Sequence, residues 1–304
     1  MRIGVIGTGW VGSSVAISIL HKGVARELLL AAARTEVAEG EAMALAHGAS
    51  FYPSARVRAV DLEEMRSTDA IVISAGRGGK PGESRLDLLR DTAGIIRSIA
   101  EGFRGYEGLL VVVTNPVDVL TQIATEASGL PPSRVLGTGT LLDTSRLRQT
   151  LAVDLGLDPR SVHAQVVGEH GDSEVVLWSS ADIGGCPLRE WPGWDPTKED
   201  AYATTVRRAA YEIIRRKGAT NHAIGLVTAN LLQWALRGER RVLTVSRVQE
   251  GAAGIDGVAL SLPAVVGQAG AEWVITPHMD DGEREGLLRS AEVLRRAYAD
   301  VRSG

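Results

Sequence analysis

Ile3-Gly4-Val5-Ile6-Gly7-Thr8-Gly9-Trp10-Val11-Gly12 decides how this chain folds. An apolar run of β type leads straight into a GxGxxG, and Val11, Val15 and Ile19 then recur at helical spacing. A strand, a glycine turn and a helix in that order let the backbone approach a pyrophosphate held on the helix N-terminus. The glycines alone also describe a tight structural turn. Their position at the opening of a βα unit favours dinucleotide binding, with Gly7, Gly9, Trp10, Val11 and Gly12 as the binding residues.

Further runs of the same kind stand at Leu28-Leu29-Leu30-Ala31, Ala70-Ile71-Val72-Ile73 and residues 109–113. Runs this apolar suit strands buried on both faces, and helical-period segments separate them. The expected fold class is therefore α/β: a Rossmann domain with a doubly wound parallel sheet over residues 1–139. After Gly139 the rhythm changes to long helical stretches at 140–155 and 198–217, with strand-like pieces at 162–167 and 241–246. A mixed α+β domain is expected over residues 140–304. Trp191-Pro192-Gly193-Trp194-Asp195-Pro196 reads as a surface turn, too short for an interdomain linker.

Bulk properties narrow the function. A chain of 304 residues with 44% hydrophobic content can bury a substantial core and suits an enzyme better than a bare binding module. Its net charge is -4 and its Lys and Arg are scattered, so no footprint for nucleic acid or an anionic membrane is visible. The single cysteine, Cys186, excludes an internal disulfide and is expected to be buried and inert. The chain starts directly on a strand and has no apolar stretch of membrane-spanning length, so a cytoplasmic protein is expected. No cluster of metal-ligand spacing occurs, and no tyrosine is followed by lysine four positions later, which argues against a short-chain reductase.

The end of the second strand is where a dinucleotide fold usually presents an acid to the adenine ribose. Here it reads Leu30-Ala31-Ala32-Ala33-Arg34-Thr35, with no carboxylate. A guanidinium and a hydroxyl suit a ribose carrying a 2'-phosphate, so the cofactor reading is NADP or NAD, leaning to NADP through Arg34 and Thr35.

Gly76-Arg77-Gly78-Gly79-Lys80-Pro81-Gly82-Glu83-Ser84-Arg85 follows the third apolar run and Thr114-Asn115-Pro116-Val117-Asp118 ends the fourth. Leu142-Asp143-Thr144-Ser145-Arg146 sits on a predicted helix, and Gly168-Glu169-His170-Gly171-Asp172 ends a strand in the second half. In combination these segments resemble the lactate and malate dehydrogenase family, from Arg2 to the helix near Leu294. The resemblance implies a nicotinamide-dependent L-2-hydroxyacid dehydrogenase, close to the L-lactate and L-2-hydroxyisocaproate branches, acting as a homodimer or homotetramer.

The chemistry agrees. Reducing a 2-oxo acid requires a proton for the carbonyl oxygen, and histidine titrates near working pH, which makes His170 the proton donor. The resemblance assigns Asp143 to hold that imidazole. Asp143 and Arg146 are three apart on one helical face, and Arg146 suits a bidentate clamp on the substrate carboxylate. By resemblance, Arg85 polarises the carbonyl from a lid, Asn115 reaches the carbonyl and the cofactor, Thr220 and Ile224 line the substrate and nicotinamide pockets, and Ala75 and Gly76 border the cofactor.

Substrate choice in the family turns on the residue before Lys-Pro-Gly, here Gly79. Gly79 supplies neither a bulky wall nor a second cation, which disfavours malate unless Arg77 or Lys80 swings inward. Lactate-type and larger aliphatic 2-hydroxy acids stay level as expectations, with malate third. Arg148 and His163 match residues of the fructose 1,6-bisphosphate effector site of bacterial relatives. A catalytically silent dinucleotide-binding protein on the same fold is the alternative from another class, opposed by the presence of His170, Asp143, Arg146 and Arg85.

Overall fold

A computed structural model describes residues 1–78 and 84–302. Gly79 and Lys80, on which part of the substrate expectation rests, lie outside the described residues, as does the side chain of Arg85.

The first half runs β1 (Arg2–Ile6), α1 (Trp10–Lys22), β2 (Glu27–Ala31), α2 (Thr35–His47), β3 (Arg56–Ala59), β4 (Ala70–Ile73), α3 (Arg85–Glu101), β5 (Leu109–Val112), α4 (Val117–Ser128) and β6 (Val135–Gly137). Its six strands are parallel in the order β3-β2-β1-β4-β5-β6, so the sheet reverses direction of travel between β1 and β4. That crevice is where a doubly wound sheet holds its ligand. The second half contributes α5 (Leu141–Leu155), β7 (Val162–His163), β8 (Val166–Val167), β9 (Val175–Val176), β10 (Asp182–Ile183) and β11 (Cys186–Pro187). After these come α6 (Glu199–Lys217), α7 (His222–Leu236), β12 (Arg241–Glu250), β13 (Asp256–Gly267), β14 (Gly270–Val274) and α8 (Asp281–Arg302). The antiparallel β12, β13 and β14 continue the same sheet beyond β6 to nine strands.

Alternation along the strands sorts the core into two layers. Leu28 and Leu30 pack with α1, α2 and α7 on one face, and Leu29, Ile71 and Ile73 pack with α3, α4 and α8 on the other. Each such leucine or isoleucine is fully buried, a contribution of about 1.5–3 kcal/mol apiece. A third apolar cluster joins α5, α6 and the short strands through Leu147, Val162, Trp178 and Val206.

Two local expectations, at 162–167 and at Cys186, are corrected, and β3 and the turn at 191–196 show features that were not foreseen. The edge strand β3 escapes the apolar pattern because Arg56 and Arg58 alternate along it, and Arg58 reaches back to Glu27 at 2.8 Å. The strand-like piece at 162–167 is two strands in two sheets: Val162 pairs with Ile183, while Val166 pairs with Val176. The chain switches sheets at Ala164, whose carbonyl accepts Arg148 Nε at 3.0 Å. Cys186 is half-buried rather than buried, because β11 is a two-residue edge strand at the rim, where its Sγ lies 3.7 Å from the Pro187 carbonyl. The turn at 191–196 is anchored from below, with Trp194 stacked on Tyr202 at 5.6 Å between ring centroids.

Candidate functional site

The glycine turn has the shape a pyrophosphate needs. Gly7 has φ +96° and lies so close to β4's exit that a Cβ there would stand 2.6 Å from the Ala75 nitrogen. A Cβ on Gly12 would meet the Gly7 carbonyl at 1.8 Å, so the first turn of α1 seats directly on the loop. Gly9, in contrast, has nothing within 4 Å of where its Cβ would be. The backbone is thus open at Gly9, and no side chain caps the N-terminus of α1. An open backbone at an uncapped helix N-terminus fits a phosphate. The loop ends are tied together: Ser74 Oγ donates to the Gly7 carbonyl at 2.7 Å, and Thr114 Oγ1 donates to the Ala75 carbonyl at 2.7 Å.

Beside this turn a cavity of 830 Å³ runs past Gly7, Ala31, Ala32, Ala33, Thr35 and Ala75. The end of β2 therefore gives this groove methyl groups and a hydroxyl. Asp61 and Asp91 also line it, from the loop after β3 and from α3, and Asp91 is paired with Arg77 at 2.7 Å. Arg77 is thereby held on α3, and Gly76 abuts the Thr114 methyl. Arg34 stands exposed as the residue preceding α2, whose first turn has no side-chain cap.

The second half brings the expected acid–base residues together. His170 is pinned from four sides. Gly168 exchanges backbone hydrogen bonds with Ser261 of β13, both 2.9 Å, and Glu169 N donates to Ser290 Oγ of α8 at 2.8 Å. His170 N donates to Asp118 Oδ2 of α4 at 2.8 Å, and the ring Nδ1 meets Asp143 Oδ2 of α5 at 2.5 Å. Helix α5 is itself fastened at its start, with Thr144 Oγ1 accepting the Val166 amide at 3.0 Å. Asp143 is 2% exposed and His170 20%. Burial alone would lower the His170 pKa, but the Asp143 charge and hydrogen bond outweigh it and hold the imidazole above its ordinary value. Burial likewise opposes the Asp143 charge, and His170 with Arg146 overcomes it to keep the carboxyl below its ordinary range.

Arg146 Nη1 donates to Asp143 Oδ1 at 2.7 Å, so one carboxylate orients both the histidine and the arginine. The pair is no surface ion pair, since Arg146 is only 14% exposed and its partner buried. Arg146, Leu142, Gln149, Thr220 and Ile224 line a cavity of 380 Å³ between α5, α6 and α7. Asn115 is exposed at the end of β5. Arg148 lines a separate cavity of 430 Å³ with Arg160 and Arg241, and His163 is exposed on β7.

Two buried acids at this site were not assigned from sequence. Asp118 lay within the quoted Asn115 segment, and its place in the first turn of α4 was the available signal. Glu174 is 5% exposed with Oε1 unpartnered, and burial together with the Asp143 charge pushes its pKa up to about 8. Nothing in Ser173-Glu174-Val175 distinguishes it from a solvated turn residue.

A phosphate-ready glycine turn on the parallel sheet and an enclosed histidine–aspartate–arginine set in the second half define the class: a dinucleotide-binding protein with a candidate acid–base site. The chain belongs to the lactate/malate dehydrogenase family, whose NAD-binding domain matches residues 1–137 and whose alpha/beta C-terminal domain matches residues 140–303. It is 43% identical over 312 residues to an L-lactate dehydrogenase of Kosmotoga olearia, covering 99% of this chain and 96% of that one. An L-lactate dehydrogenase of Synechococcus sp. is 42% identical, covering 99% of this chain and 100% of its own. Among solved structures, a minor L-lactate dehydrogenase from Enterococcus mundtii superposes with a TM-score of 0.95 at 38% identity, covering 98% of this chain and 97% of that one.

Proposed function

We propose that this chain is a nicotinamide-dependent L-2-hydroxyacid dehydrogenase of lactate type. The observation that carries the reading is Asp143, which grips His170 Nδ1 with one oxygen and Arg146 with the other. When bound, the nicotinamide supplies or accepts the hydride at C2 of the acid. Because Nδ1 is committed to Asp143, His170 Nε2 is left to give its proton to the carbonyl oxygen in reduction and to take it back in oxidation. Arg146 holds the carboxylate of the acid, with Thr220 beside it. Arg85 and Asn115 act on the carbonyl, and Ile224 packs on the nicotinamide side.

The cofactor reading extends to NADP(H). Ala31, Ala32 and Ala33 leave no carboxylate at the end of β2 to engage the ribose hydroxyls or to repel a 2'-phosphate. Thr35 and the uncapped start of α2 supply donors at that point, and Arg34 supplies the charge. Residues 1–139 form the cofactor domain in this reading and residues 140–304 the substrate and oligomerisation domain. A homodimer or homotetramer is supported by the apolar surface that Trp10, Ile17 and Leu226 expose on the packed helices α1 and α7, and the reading places the enzyme in the cytoplasm. A fructose 1,6-bisphosphate effector site at Arg148 and His163 is its regulatory part, supported by the three arginines of the 430 Å³ cavity.

The test is a panel of 2-oxo acids against NADH and NADPH at one fixed salt concentration, with wild type and Arg34→Ala. Pyruvate and longer aliphatic acids should be reduced and oxaloacetate should be poor, since Gly79 brings no second cation. NADPH should serve at least as well as NADH, and Arg34→Ala should cost NADPH about ten- to a hundredfold, the worth of one charge-assisted hydrogen bond. A clear preference for NADH in the wild type, or an NADPH efficiency unchanged by the loss of Arg34, overturns the cofactor reading. A preference for oxaloacetate overturns the substrate reading.

A further inference from the structure

We propose that Asp118 is a positioning residue for His170, a second anionic support that fixes the backbone of the proton donor and adds to the charge favouring its protonated ring.

Asp118 is 1% exposed in the first turn of α4, and its Oδ2 accepts the His170 amide at 2.8 Å. The helix dipole repays a first-turn acid only modestly, well short of what burying a carboxylate costs. A buried carboxylate is costly, and an uncharged side chain could accept one amide N–H equally well. The negative charge has a use only if a positive charge stands near it, and the cation acting on Asp118 is the His170 imidazolium. Burial raises the Asp118 pKa to about 6, against the Ser246 hydroxyl and the His170 amide, which leaves the group ionised at neutral pH.

The other charges around His170 show what this second anion does. From α5, Asp143 raises the proton affinity of the ring and Arg146 lowers it. Asp143 is shared between the two, so Arg146 takes back part of the support that Asp143 gives. From α4, Asp118 raises the affinity again. Glu174, between the His170 loop and α6, faces Asp143, His170, Arg207 and Arg146, but with its pKa pushed up to about 8 it is mostly protonated at pH 7 and adds little charge there. Glu169, next in chain, acts on Asp118 as a like charge and is itself engaged by the Ser173 amide at 3.1 Å. α8 contributes only the uncharged Ser290 to this loop contact. Asp118 therefore offsets the substrate-binding arginine, and the site can carry a carboxylate clamp and a protonated histidine side by side.

The inference rests on the dehydrogenase reading, and its test separates the two. Reduction of a 2-oxo acid is followed against pH for wild type, Asp118→Asn, Asp118→Ser and Asp118→Glu, with NADH binding as the measure of an intact fold. In both neutral variants the alkaline limb should move down by about one pH unit, the usual effect of removing a nearby opposite charge. Asp118→Glu, which keeps the charge, should move the limb less. The rate at which diethyl pyrocarbonate modifies His170, with His170→Asn as the blank, gives the same titration without turnover, so a slow variant still reports. A merely structural role predicts lower activity at every pH with the limb unmoved, and that result in either neutral variant overturns the inference. A wild type that reduces no 2-oxo acid while its His170 titration shifts with Asp118 contradicts the dehydrogenase reading alone.

Discussion

Replacing His170 by Asn should lower turnover in 2-oxo acid reduction by at least about a hundredfold, the lower range for loss of a general acid. Asparagine keeps the backbone amide that Asp118 accepts and leaves the glycine turn in the first half of the chain untouched. Cofactor affinity should therefore barely change, and fluorescence titration with NADH or NADPH checks that directly. Near-normal turnover in this variant would falsify the assignment of the proton to His170. The asparagine amide can still donate to the Asp143 oxygen that held Nδ1, while Arg146 keeps the other, so the variant removes the proton donor without leaving the carboxylate bare.

Arg146→Lys should raise the Michaelis constant for every acid in the panel by about ten- to a hundredfold, with cofactor binding again unchanged. Lysine keeps one positive charge but cannot reach Asp143 and a substrate carboxylate at once with a planar fork. In the native chain the contact with Asp143, at 2.7 Å, spends one nitrogen of the guanidinium and orients the rest toward the cavity it shares with Thr220 and Ile224. Steady-state kinetics with pyruvate and a longer 2-oxo acid decides the matter. Unchanged Michaelis constants for both acids mean that the carboxylate is held elsewhere.

What the sequence disclosed and what it concealed follow from the same physics. Strands β1, β2, β4 and β5 are buried on both faces, so an unbroken apolar run had only one use, and the parallel sheet was legible from it. Edge strand β3 faces solvent and alternates arginine with apolar residues, which hides it from a search for continuous apolarity. Strand β6, three residues long, is too short to show any period. Asp143 and Arg146 were readable together because three residues of helix put them on one face. The approach of His170 to Asp143 spans 27 positions and depends on how β8 leaves the α5 terminus, which no local pattern encodes; only family resemblance supplied it. Asp118 and Glu174 went unassigned because a buried acid has the same letter as a solvated one. Their burial arises from α4, α5 and α6 closing around the His170 loop, a property of the packed chain.

The most direct test is the pH dependence of kcat/KM in both directions, 2-oxo acid reduction and 2-hydroxy acid oxidation, in one buffer series. The free imidazole titrates near 6.5, and Asp143 holds His170 above that value in the folded chain. Reduction uses the protonated ring, so it should be level at low pH and fall about tenfold per unit as pH rises through the raised pKa. Oxidation uses the neutral ring, so it should fall as pH drops through that same pKa. The account predicts mirror-image limbs meeting at one value above 6.5, both lost in His170→Asn. Reduction that holds level or climbs through this range, with oxidation unaffected, contradicts it.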